Sequence, residues 1–363
     1  MLAAWLAAAA LAAPAYVDPA AGCDDARKAS SPEQPLCSVA RALEVVPPGG
    51  TVLLREGDHP ALELDGYAPA APVTVEAFPG ERPSIAGVTL VNVSRLRVEG
   101  LKVAGPFTLR GSGRDVALVG NDVGNQRSGI WIYGEGRDGI RDLRIESNAI
   151  HDIDYPESQA TDGAAGYGIR MMGVLAGVSI RGNAISRVVE DYIQGGGTRI
   201  AVEGNRFEGP SLRHGHDDAI HSDLWQIYWP ARHIVFRGNV AVRTGTQNGL
   251  LFQFSDSGPP HRDVRIEDNV LDHASDGTDM QIYNTDGLVI TGNTAVGSPL
   301  GTMLRFDDRV PPGRDYRVAG NVLAKLSDET GRVAGHNTID PGAKAPAPSP
   351  VTVLHRVLRA LFG

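Results

Sequence analysis

VSIRGNAI, residues Val178 to Ile185, is one copy of a phrase that returns along most of this chain. An apolar strand alternates in and out, a Gly-Asn pair or a near match follows, and one or two apolar residues close the unit. The same phrase is VALVGNDV with Asn121, LRIESNAI with Asn148, IAVEGNRF with Asn205, IVFRGNVA with Asn239, VRIEDNVL with Asn269, LVITGNTA with Asn293 and YRVAGNVL with Asn321. The asparagines recur at roughly 22 to 35 residues, and the shortest interval is one coil of a β-solenoid, with loops inserted into the longer coils. An asparagine at a strand corner tolerates a left-handed backbone and can bond its counterpart one coil away, so a buried polar ladder is expected.

A second strand lies between successive asparagines: GIWIY from Gly129, GIRMM from Gly168, YIQGG from Tyr192, AIHSD from Ala219, GLLFQ from Gly249, DMQIY from Asp279 and TMLRF from Thr302. Stacked on their second residue, these strands send Ile130, Ile169, Ile193, Ile220, Leu250, Met280 and Met303 into the core. These patterns resemble the right-handed parallel β-helix family, the pectate-lyase-like superfold, over roughly Val73 to Ile339. The resemblance implies an all-β solenoid and leaves the reaction open, since this fold hosts lyases, hydrolases, epimerases and non-catalytic fibres.

The flanks fit a capped solenoid. Residues 1–15 form an alanine and leucine run ending in Ala13-Pro14-Ala15, the pattern of a signal-peptidase site, although a basic leading segment is missing. Residues 16–72 supply an N-terminal cap, with Ser38 capping an amphipathic helix to about Val46 and a strand from Thr51 to Arg55. Residues 73–340 form the β-helix. Residues 341–363 give a Pro/Ala linker and then VTVLHRVLRALFG, a short amphipathic helix expected to dock on the far end, with a peripheral membrane or partner contact as the alternative. A periplasmic or secreted protein is expected. Cys23 and Cys37 then form one disulfide, worth roughly 2 to 3 kcal/mol. Beyond the leader no apolar run is long enough to span a bilayer. A net charge of -9 without a basic stripe argues against nucleic acid, and a monomer is expected.

The stretch His214 to Asp223, HGHDDAIHSD, gathers more titratable side chains than any other. On the hand alignment one outward row holds Arg170, Gln194, His221, Leu251, Gln281 and Arg305, and the next holds Met172, Asp223, Gln253, Tyr283 and Asp307. Adjacent coils are about 4.8 Å apart, close to the length of one sugar ring, so such rows suit a polysaccharide. His221 is the expected general base with Asp223 orienting it, while Arg170 or Arg305 offsets the charge of a uronate carboxylate. That set describes a polysaccharide lyase or C5-epimerase. Asp218 with Asp223 would instead supply the carboxylate pair of a glycoside hydrolase, or Asp218 turns inward to bond backbone amides, as Asp191 would one coil earlier. Gln194, Gln253, Gln281, Tyr283 and Asp307 are expected to bind substrate. Trp131 and Trp225 are expected to stack on sugars, which alone would serve a non-catalytic glycan-binding protein. No cofactor is required, although His214, His216 and Asp217 are a candidate set for a divalent cation such as calcium. DDAIHSD further resembles the acidic, histidine-bearing central motifs of alginate epimerases and of uncharacterised exported β-helix proteins.

Overall fold

The structure is a computed structural model and describes residues 13–20, 22–155, 166–212, 220–253, 259–283, 285–305, 316–331 and 333–345. The chain winds into a right-handed parallel β-helix of three sheets, with 13, 11 and 12 strands. One coil shows the plan. Leu175–Arg181 lies in the 13-stranded sheet, Ala184–Val188 in the 12-stranded sheet and Ile193–Gly195 in the 11-stranded sheet. Thr198–Glu203 then starts the next coil directly against Leu175–Arg181.

The Gly-Asn phrase turns the corner between the 13- and 12-stranded sheets. Each asparagine is buried and bonded along the axis. Asn183 donates its side-chain amide to Asn205 Oδ1 at 2.9 Å and to the Ile145 carbonyl at 2.8 Å, and its own Oδ1 accepts from the backbone and side chain of Asn148. The ladder continues one step past the phrase quoted above, since Asn321 donates to Asn337 at 2.8 Å. The left-handed backbone falls on the residue before the asparagine, not on the asparagine. Gly182 has φ 60°, while Ser147 (φ 56°) and Asp268 (φ 55°) fill that place in two coils. Asparagine is therefore required for its amide, which satisfies three or four buried groups at once.

Inside the 11-stranded sheet, the core column is Ile130, Ile169, Ile193, Trp225, Leu250, Met280 and Thr302. Two members differ from expectation. Trp225 replaces Ile220, because the strand is Asp223–Ile227 and begins four residues later than AIHSD does. Thr302 replaces Met303, because a register shift between Thr278 and Met280 moves the last strand by one residue. Trp225 was expected to stack on a sugar; it is sealed in the core, packed edge-on to Phe252 at 5.1 Å and donating its indole N–H to the Gly195 carbonyl at 2.9 Å.

The solenoid starts earlier than Val73. Thr51–Leu54, Asp58–His59 and Leu62–Asp65 already make a coil, one strand in each sheet. Ala15, the last residue of the expected leader, opens the buried strand Ala15–Val17 and pairs with Val52. Helix Val39–Val45, capped by Ser38, buries Val39, Ala42 and Leu43 at this end. Cys23 and Cys37 are disulfide-bonded. Among the described residues no helix is long and apolar enough to cross a membrane. Residues 1–12 and the expected C-terminal helix lie outside the described residues.

Candidate functional site

The polar residues that converge do so at the start of the strands of the 11-stranded sheet. Asp191 and Asp223 each stand two residues before a core residue, Ile193 and Trp225, which are register partners. The two acids therefore stack in successive coils, and Asn248 and Thr278 continue the column. Asp191 Oδ1 accepts from the Asp223 backbone N–H at 2.7 Å, and its Oδ2 accepts from Gln194 at 2.9 Å. Asn248 donates to Asp223 Oδ1 at 2.9 Å, and Thr278 donates to Asn248 at 2.9 Å. Asp223 Oδ2 is buried without a hydrogen bond, and His221 Nδ1 lies 3.4 Å from it.

Burial governs the protonation of both acids. It pushes Asp223 up to about 7, against the opposing pull of the Asn248 hydrogen bond. Asp191 is also pushed well above the usual carboxylate range, first by burial and then by the charge of Asp223 beside it. His221 bridges this interior to the surface. Its side chain is 42% exposed while that of Asp223 is 0% exposed, and its Nδ1 is also 3.5 Å from Gln226 Nε2.

The outward row differs from the hand alignment. Register gives Trp131, Arg170, Gln194, Gln226, Leu251, Gln281 and Met303, so Gln226 occupies the place expected for His221. The middle of this row is closed, since Gln194 and Gln226 are each 2% exposed. Gln194 was expected to meet substrate; it donates instead to Asp191 and Gln226. Asp223 was expected on the outer face and is buried beside Asp191. The half-buried ends of the row form two separate patches. One holds Arg170 over the Tyr167 ring at 4.3 Å, with Trp131 and Tyr133 stacked 4° from parallel. The other holds Gln281 and Arg305, both bonded to the Tyr283 hydroxyl. Arg305 sits in the row of Tyr283, three coils beyond the Asp223 strand, or about 14 Å along the axis, and does not share a cleft with His221. Gln253 follows the strand Thr246–Phe252, and its carbonyl accepts from His261. Asp218, Asp217, His214, His216 and Asp307 lie outside the described residues.

Residues 107–299 match the family described as right handed beta helix region. The chain belongs to the right-handed β-helix family. Among solved structures, this β-helix protein is similar to PfbA, a surface adhesin of Streptococcus pneumoniae, at 11% identity over 82% of this chain and 85% of that one, with a TM-score of 0.53. It is also similar to pectate lyase Pel9A, at 14% identity, 91% and 81% coverage and a TM-score of 0.41. A rhamnogalacturonan lyase is similar at 12% identity, 92% and 89% coverage and a TM-score of 0.42. At such identities the likeness is one of fold. No curated protein matches the sequence.

Donor atoms of Asp191, His221 and Asp223 lie within 4.8 Å of one another. Two carboxylates and an imidazole suit a borderline ion such as zinc better than calcium, which favours oxygen ligands throughout. The expectation that Asp191 bonds a backbone amide at a strand start holds, since it accepts from the Asp223 N–H; its place beside His221 was not expected, nor were the roles of Gln226 and Asn248. The signal that finds Asp191 and Asn248 is the polar residue two places before each core residue: Asp191 before Ile193, Asp223 before Trp225 and Asn248 before Leu250; Gln226 follows once Trp225 is placed in the core.

Proposed function

We propose that this β-helix protein is an exported, carbohydrate-active protein that acts on a uronate-containing polymer as a lyase or C5-epimerase, with His221 transferring the proton. The observation that carries this reading is the pairing of a surface imidazole with a sealed carboxyl group that titrates near neutrality, 3.4 Å apart. Asp223, fixed by Asn248, lies against His221 Nδ1 at 3.4 Å, and the partly exposed imidazole is the group that takes the proton. Arg170 lies two coils from Gln226, about 10 Å, and so anchors the carboxylate of a sugar two units along the chain. Arg305 has no part in that step. The His221→Ala variant is expected to lose turnover, read as unsaturated uronate by absorbance or as epimerised residues by NMR, while its affinity for the polymer stays within a few fold. A wild-type protein inert on alginate, pectate and glycosaminoglycans alike defeats the enzymatic reading.

A second reading, glycan binding without chemistry, is favoured by the parallel Trp131 and Tyr133 rings, which offer a sugar-stacking surface beside Arg170. Under that reading Trp131→Ala removes affinity and His221→Ala changes nothing.

A further inference from the structure

A pocket of about 370 Å³ opens on the 12-stranded sheet, lined by none of Asp191, His221 and Asp223, and no step proposed above uses it. Its shape follows from register. Ser186, Glu208, Val242 and Asp272 are partners in four successive coils, and the residues after the first three are Arg187, Gly209 and Arg243. Arg187 and Arg243 therefore flank a glycine, two coils apart, about 10 Å. Gly209 is fixed by packing: a Cβ there would lie 2.1 Å from the Arg243 carbonyl oxygen. The glycine lets the two coils approach closely here, so the pocket between the arginines is floored by backbone.

Charge decides what fits the pocket. Glu208 is held by Arg206, and Asp272 by His273 at 2.7 Å, so both acids in the lining are engaged. Arg187 is anchored by Asp152 of the preceding coil, and a guanidinium so held keeps further N–H donors. The Arg243 guanidinium is exposed and has no partner among the described residues. The open fork of Arg243 and the remaining donors of Arg187, carried on rows at this spacing, match carboxylates on a sugar chain two units apart.

We infer that this pocket is a second carbohydrate subsite, one that takes an acidic oligosaccharide through Arg187 and Arg243. The choice of a uronate as ligand rests on the function proposed above, whereas the location rests on the pocket alone.

Calorimetry of the full chain with a uronate trisaccharide, and with its carboxyl-reduced neutral counterpart, tests the inference. The wild type is expected to show two binding events with the acidic sugar. Arg243→Glu should abolish one of them, Arg243→Lys should weaken it about tenfold through loss of the fork, and the neutral sugar should not fill the pocket. Because Arg243 is exposed, its variants should keep the wild-type circular dichroism, which confirms that any loss is local. A single event that survives Arg243→Glu and vanishes in Arg170→Ala overturns the subsite while sparing the proposed function. The reverse, loss in Arg243→Glu with Arg170→Ala unaffected and no turnover, upholds the subsite and removes the proposed function. Absence of binding in every protein overturns both.

Discussion

Asp223 ionises in water near pH 4, yet in the folded chain it keeps its proton to about 7. A carboxyl whose folded value is raised gives its full contribution to stability below the unfolded value, and that contribution is lost as pH climbs from about 4 through 7. The lift corresponds to on the order of 4 kcal/mol across that window. Asn is isosteric with the protonated acid and retains an acceptor for Asn248, so Asp223→Asn should flatten the fall of Tm between pH 5 and 8; an unchanged slope would show that the acid is ionised in its niche. His261 works in the opposite sense. It is buried, its Nε2–H donates to the Gln253 carbonyl, and burial lowers it to about 4. Its contribution is complete above the ordinary histidine value of about 6.5 and is lost as pH falls toward 4, so the acid limb of the stability profile should persist in Asp223→Asn. At this scale the sequence exposed His221 and Asp223 as a pair, because they are two residues apart. It placed Asp191 at the equivalent strand start one coil earlier, but only coil stacking brings that acid beside the pair.

Among elements, the asparagine corner carries the most concentrated polar bonding. Asn183→Ala removes the partner of the Asn148 backbone N–H and of the Ile145 carbonyl, both inside the solenoid. Leaving such groups unpaired should cost about 3 kcal/mol or more and lower Tm by roughly 5 °C, measured by thermal melting; a loss below a third of that would mean that water enters the corner. The corner was legible because its side chains are polar, regular and confined to one turn. Strand frame in the 11-stranded sheet was less so. AIHSD and DLWQI each offer an apolar residue in second or third place, and periodicity does not choose between them. Packing chooses. Trp225 fills the column between Ile193 and Leu250, with Phe236 and Phe252 against it, and the whole strand Asp223–Ile227 is buried.

As a whole, the molecule is a stack in which each coil touches mainly the coils beside it, so stability accumulates along the axis and its ends differ. The N-terminal end has a helix and a disulfide spanning 14 residues. Toward the C-terminal end the strands shrink to the two-residue Val333–Ala334 and Thr338–Ile339, the latter exposed. Hydrogen exchange should therefore be slowest in the central coils around Ile180 to Ile266 and fastest in the last described coil, and uniform protection would contradict coil-by-coil cooperativity. Periodicity along the chain was enough to read the winding, the asparagine corner and the capping helix, and expected export was enough to read the Cys23–Cys37 bond, because each is a local property of the chain. Tertiary structure alone decided which residues meet across coils: Asp191 with Asp223, Gln226 in the outward row, Arg305 away from His221, and two arginines flanking Gly209. Loops of unequal length separate those residues in sequence, and only the register of the stacked strands converts the separations into distances.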